Sequence, residues 1–235
     1  MIDSAALRAR LAGVRDRIAR AAGRAGRDPA TVRLIAVSKT FDAAHVRLAA
    51  DCGQTDFGEN KVQEAFDKMD RTGDLPLRWH LVGHLQSNKA AKAASRFNVI
   101  HSIDGPQLLM RLDKAAASVG RRIDLLVQVD IAGEVTKHGA AERDLDPIFA
   151  AARACTTARI VGLMLLPPAV DEPERARPYF RQLTDIRAGL LERGVEPAML
   201  QELSMGMSDD FEVAVEEGAT LVRVGTAIFG SRTYV

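Results

Sequence analysis

Lys39 stands one or two residues beyond Val32–Val37, a short run rich in apolar and β-branched residues that reads as a buried strand. Burial at a rigid strand end pushes a lysine toward its neutral amine, the nucleophile that Schiff-base chemistry requires. The competing reading is a lysine that lays its stem along the strand end and keeps its ammonium in water. A second group is Ser204–Ser208 together with Gly225 and Thr226. Gly206 and Gly225 let backbone approach a ligand closely, and Ser208 opens a predicted helix, where free N–H groups and a hydroxyl suit an anion. Ser208 serves equally well as a plain helix cap. Arg223 lies in an otherwise apolar strand with the parity of Leu221 and Gly225, so it needs a partner: a ligand, or a carboxylate such as Asp130. Asn60 either caps the helix that follows it or touches a ring. His80, His84 and His101 are metal-ligand types, but no His-x3–5-His pair sits on an identifiable helix and the cysteines are not grouped, so metal is disfavoured.

The elements that must position these residues alternate in period. Leu7, Leu11, Val14 and Ile18 form one stripe of an N-terminal helix, ended by Gly23 and Gly26. Strands are expected at Val32–Val37, Thr55–Gly58, Trp79–Val82, Asn98–Ser102, Ile123–Val129, Arg159–Leu165, Leu200–Leu203 and Thr220–Val224. Helices are expected near Ala43–Asp51, Lys61–Asp70, Ser87–Ser95, Pro106–Val119, Glu142–Cys155, from Pro173 through Leu191, and Asp209–Glu217. Eight strands alternating with helices predict a parallel sheet covered on both faces, and eight is the number that closes a (β/α)8 TIM barrel. An open doubly wound sheet is the competitor, but no strand is followed by Gly-x-Gly-x-x-Gly. No linker or repeat divides the chain, so residues 1–235 read as a single domain. A barrel places its site at the C-terminal strand ends, where Lys39, Asn60, His84, Ser208, Gly225 and Thr226 all fall; strands seven and eight are the usual place for phosphate.

Composition narrows the classes. With 47% hydrophobic and 27% charged residues, the chain fits neither disorder nor a disulfide miniprotein. No apolar run is long enough for a membrane helix, and no secretory signal is visible. Cys52 and Cys155 alone suggest reduced thiols and a cytoplasmic location. A net charge of +1 makes the molecule no trap for nucleic acid. Arg8, Arg10, Arg15, Arg17, Arg20, Arg24 and Arg27 concentrate basic charge near the N-terminus, but Asp3, Asp16 and Asp28 interrupt it, and a solvated helix face is the favoured reading.

Six ordered motifs then carry a resemblance: AVSKT at Ala36–Thr40, FGENKVQEA at Phe57–Ala65, WHLVGHLQSNK at Trp79–Lys89, HSID at His101–Asp104, LSMGMSDD at Leu203–Asp210 and RVGTAIFG at Arg223–Gly230. From about Val32 to Gly230 the chain resembles the YggS/PROSC family of pyridoxal phosphate (PLP) homeostasis proteins. The resemblance implies the alanine racemase N-terminal barrel, fold type III of PLP proteins, here with an extra N-terminal helix. It implies that Lys39 forms the Schiff base with PLP. It further implies that Ser208, Gly225 and Thr226 hold the phosphate with Met207 beside them, that Arg223 faces the pyridine nitrogen, and that Asn60 contacts the ring. Ser204 and His80 would stand behind these contacts.

The implied function is to hold, buffer or deliver PLP inside the cell, with PLP-dependent apo-enzymes as partners; the alternative is an amino-acid racemase of low activity. Racemisation needs acid/base groups on both faces of the substrate. The only tyrosines, Tyr179 and Tyr234, fall on a predicted outer helix and at the chain end. The sequence also stops five residues after Gly230, so the racemase's second domain is expected to be absent. A monomer is the expected state. The polar segment Glu134–Lys137 after strand five has no assigned purpose, but it could gate the site or contact partners.

Overall fold

The computed structural model describes residues 3–133 and 138–230. Asp3 accepts the Ala6 N–H and starts α1 (Ser4–Arg24), whose buried stripe includes Leu7, Leu11, Val14 and Ile18 as the spacing predicts. Eight strands and eight further helices follow: β1 (Arg33–Val37), α2 (Ala43–Asp51), β2 (Asp56–Glu59), α3 (Val62–Arg71), β3 (Arg78–Leu81), α4 (Ala90–Arg96), β4 (Val99–Ile103) and α5 (Pro106–Ser118). Then come β5 (Ile123–Val129), α6 (Leu145–Ala152), β6 (Ala158–Leu165), α7 (Arg177–Glu192), β7 (Glu202–Ser204), α8 (Phe211–Glu216), β8 (Leu221–Val224) and α9 (Thr226–Phe229). The helices expected from Ser87, Glu142 and Pro173 open as single 3-10 turns before becoming α-helical. The seventh strand starts later than expected, because the Leu200 N–H closes a 3-10 turn onto the Pro197 carbonyl.

The strands pair in sequence order, all parallel, and β8 closes onto β1 through Arg33–Leu221 to Ala36–Val224. The sheet is therefore the closed barrel, not the open alternative. Both strand faces are buried, which is why most strands lack a clean alternation. Inside, Ile35, Val99, Leu126, Met164 and Leu221 form a small apolar plug. Outside, the larger core joins strands to helices and takes in Phe57, Phe97, Phe180 and Phe211. Among the described residues, no helix is long and apolar enough to cross a membrane.

The arginines of the N-terminal region have structural work. Arg10 donates to the Ile228 carbonyl and Arg15 to that of Cys52. Arg17 and Arg24 pair with Glu212 and Glu216 on α8. Arg27 donates to the carbonyls of Val215 and Ala219. These contacts fasten α1 across the seam where the barrel closes, while Arg8, Arg10, Arg15, Arg20 and Arg24 stay exposed, as a solvated face requires.

Candidate cofactor-binding site

Lys39 follows β1 in a tight turn. The Phe41 N–H donates to the Ser38 carbonyl at 3.1 Å, and Thr40 has φ 70°, in the left-handed region that a type II turn needs at this position. Thr40 is the only non-glycine residue at positive φ among the described residues. Its strain has to be outweighed by neighbours, and they are visible. Ser38 is fully buried, and its hydroxyl donates to Glu59 Oε1 at 2.6 Å. Lys68 Nζ, on α3, donates at 2.6 Å both to the Ser38 carbonyl and to Glu59 Oε1. Burial pushes the Glu59 carboxyl up, and Lys68 and Ser38 pull it back only in part. A buried ion pair thus clamps the backbone on which the half-buried Lys39 is mounted. Sequence reasoning passed over Lys68. The available signal was a glutamate inside a buried strand, which needs a cation nearby.

Asn60 follows β2 on the same side. Val37 pairs with Gly58, so Lys39 and Asn60 leave neighbouring strands at matching heights. Gly83 makes room for this: a Cβ there would lie 2.3 Å from the Asn60 carbonyl oxygen.

The β7–α8 and β8–α9 junctions form the other half of the mouth. Gly206 has φ 91°, and a Cβ on it would lie 2.6 Å from that of Ala214, so the turn fits only glycine. The Met207 N–H donates to Asp210 Oδ1 at 2.6 Å, while burial pushes that carboxyl up. Ser208 Oγ accepts the N–H groups of Gly225 and Ala227 at 3.2 and 3.3 Å. These contacts are long, and an anionic oxygen would be a better acceptor for the same two amides. A cavity of about 690 Å³ opens beside them, lined by Met207, Ser208, Thr226 and Ala227, with Arg17 and Pro168 also on its wall. Of the seven expected contact residues, Met207, Ser208 and Thr226 line this cavity; Lys39, Asn60, Arg223 and Gly225 do not. Gly225 belongs through its N–H, and a Cβ on it would lie 3.1 Å from the Val37 carbonyl, which brings β8 against the end of β1.

Arg223 is 4% exposed and points into the barrel. Its Nη1 donates to Ser204 Oγ at 2.7 Å and its Nη2 to the Leu165 carbonyl at 2.8 Å. The expected ion pair with Asp130 is not formed: the guanidinium is spent on Ser204 and Leu165, and the carboxylate whose charge acts on it is Asp210. Burial pushes the Arg223 guanidinium down to about 10, so it remains charged at neutral pH. Beyond Ser204 the polar contacts continue: His101 Nδ1 at 2.9 Å from Ser204 Oγ, His80 Nδ1 at 3.0 Å from His101 Nε2, and Asp56 Oδ1 at 2.9 Å from His80 Nε2. Both rings are fully buried, and burial lowers both histidines so that they stay neutral.

The three histidines weighed as metal ligands are therefore not one set. His80 and His101 are engaged inside the barrel, whereas His84 lies at the mouth near Asp104 and stacks on His138 with 3.5 Å between ring centroids and 12° between planes. One ligand atom each from His84, Asp104 and His138 lies within 4.8 Å of the others, so the described residues that could offer ligands to a metal ion are this group and not the three histidines named from the sequence. Glu134–Lys137 and Tyr234 lie outside the described residues.

The chain matches the family described as "Alanine racemase, N-terminal domain" over residues 2–233. It is 41% identical over 225 residues to the pyridoxal phosphate homeostasis protein of Aquifex aeolicus, covering 96% of this chain and 98% of that one. It is 43% identical over 224 residues to the protein of that name from Pseudomonas aeruginosa, covering 95% of each. PipY of Synechococcus elongatus, solved with PLP bound, superposes with a TM-score of 0.83 at 40% identity, over 95% of this chain and all of that one. An alanine racemase from Corynebacterium glutamicum shares the fold at 18% identity and a TM-score of 0.75, with this chain spanning 63% of it. On sequence and fold together, the chain belongs to the alanine racemase N-terminal domain family and, within it, to the pyridoxal phosphate homeostasis proteins.

Proposed function

We propose that this protein binds pyridoxal 5'-phosphate through Lys39 and serves as an intracellular reserve that buffers the cofactor or hands it to apo-enzymes. The observation that carries the reading is the pairing of Lys39 at one side of the barrel mouth with a buried cation and paired amide donors at the other. When bound, PLP supplies an aldehyde that captures amines. Lys39 would hold that aldehyde through its amine. The Gly225 and Ala227 N–H groups, with Ser208 and Thr226, would hold the phosphate, with Met207 alongside. Asn60 would touch the ring.

Arg223 would face the ring nitrogen. A guanidinium has only donors and keeps its proton, so the ring nitrogen stays unprotonated and the ring is a weak electron sink. That favours holding the cofactor over amino-acid chemistry. Tyr179 supports the same choice, because it lies on α7 packed against the outer core rather than at the mouth. Two free cysteines, Cys52 and Cys155, fit a reducing cytoplasm. Monomeric action is part of the proposal.

The test is direct. After incubation with PLP and dialysis, the chain is expected to keep a visible absorption band, and Lys39→Ala to lose it. A colourless wild-type protein refutes the reading. Transfer to an apo-enzyme, compared with free PLP at equal concentration, then measures delivery. Deuterium entering Cα of single L-amino acids at a useful rate would favour a racemase instead.

A further inference from the structure

Five side chains cross the inside of the barrel in one unbroken line: Arg223, Ser204, His101, His80 and Asp56. The four links measure 2.7, 2.9, 3.0 and 2.9 Å. The line runs from β8 through β7, β4 and β3 to the start of β2. Its ends differ in kind, because a guanidinium can only donate and a carboxylate can only accept.

That difference fixes every proton between them. Asp56 accepts, so the His80 proton is on Nε2. A neutral His80 then accepts at Nδ1, so the His101 proton is also on Nε2. His101 accepts at Nδ1, so the Ser204 hydroxyl donates to it. The Ser204 oxygen, its proton committed, accepts from Arg223. Adding a proton to His101 puts a second donor on the Ser204 oxygen and leaves the Ser204 hydroxyl without its acceptor, and adding one to His80 forces the same change through the tautomer of His101. Arg33 and Arg78 act on both rings with like charge and oppose such protonation, as does Arg223 on His101. Burial pushes the Asp56 carboxyl up, but the hydrogen bonds from His80 and Thr55 outweigh it and hold it below its usual range. The arrangement is an ion pair stretched across the barrel, with three neutral groups passing polarity from one end to the other.

We propose that Ser204, His101, His80 and Asp56 are positioning residues that hold Arg223 in one orientation for the cofactor ring and couple occupancy of the mouth to the barrel's opposite end. The proposal rests on the reading of the mouth as a PLP site. The function reading alone needs only that Arg223 be present. This one requires that a ligand touching Arg223 be felt at His80, three links along the line.

The test uses the full chain labelled with 15N in its histidine rings. Without PLP, long-range 1H–15N correlation spectra are expected to show His80 and His101 both neutral with the proton on Nε2; an imidazolium or an Nδ1–H form of either overturns the proposal. With saturating PLP, the His80 N–H resonance is expected to move. In Ser204→Ala that movement should vanish and the PLP dissociation constant should rise about tenfold, the scale of one charge-assisted hydrogen bond. His101→Leu is expected to resemble Ser204→Ala. His101→Gln, which can donate to His80 and accept from Ser204, should recover wild-type affinity. Equal loss in His101→Gln and His101→Leu would mean the ring only fills space and would overturn the proposal. A wild-type chain that takes up no PLP overturns the function reading and the coupling together. PLP uptake with an unmoved His80 resonance overturns the coupling alone.

Discussion

Replacing His101 by glutamine is expected to flatten the acid side of the stability profile by a calculable amount. His101 is fully buried, and burial holds it well below the ordinary histidine value of about 6.5, with the charge of Arg223 adding to the effect. The unfolded chain takes up a proton there as pH falls through about 6.5, while the folded chain does not. A depressed group of this kind contributes stability that is complete above the unfolded value and lost as pH falls toward the folded one. The slope is about 1.4 kcal/mol per pH unit for each such histidine, which integrates to about 2 kcal/mol between pH 7 and 5. His80 is lowered too and adds to the slope. Glu59 and Asp210 oppose it, since both are raised by burial and bind protons more readily when folded. The difference between wild type and His101→Gln cancels those contributions. Urea unfolding of the PLP-free chain, followed through the single, buried Trp79, gives both profiles. Wild type should lose about 2 kcal/mol more than the variant over that range. Parallel profiles would refute the neutral, buried imidazole on which the stretched ion pair depends.

Lys68→Met should destabilise by about 3–5 kcal/mol, since it strands the Glu59 carboxylate in the core, while Lys68→Met with Glu59→Gln should recover much of the loss. A double-mutant cycle from denaturant melts checks this, and additive losses would contradict a direct pair. The same single variant should hold PLP less well, because the Ser38 carbonyl loses its donor. Gly206→Ala should cost about 3 kcal/mol from overpacking and left-handed strain combined, read as a drop in melting temperature. Arg27→Ala should cost about 1 kcal/mol through two lost carbonyl contacts, with faster amide exchange along α1 as its local signature.

The barrel was legible because its strands announce themselves by length, apolar content and regular alternation with helices. Ile123–Val129 and Ala43–Asp51 match to the residue. The mouth was legible because its residues sit at strand ends, where Lys39, Asn60, Ser208 and Gly225 are found. The partners of those residues were not. Nothing local to Arg223 separates an ion pair with Asp130 from a bond to Ser204, since that choice depends on which strands the closed barrel brings opposite each other. Lys68 reads as an ordinary charge on an amphipathic helix until Glu59 is seen beneath it. The contacts of the α1 arginines were illegible for the same reason, because their acceptors are carbonyls and carboxylates that mostly lie nearly two hundred residues away in the chain.

That last distance bears on how the molecule is made. Among the described elements α1 is synthesised first, yet its main helical neighbours, α8 and α9, come last. At about 5–20 residues per second, roughly 10–40 s separate them on the ribosome. Through that interval the stripe of Leu7, Leu11, Val14 and Ile18 lacks the cover that α8 and α9 give it. The nascent chain therefore carries an adhesive amphipathic segment until α8 and α9 emerge, and closing the barrel is also the step that hides it.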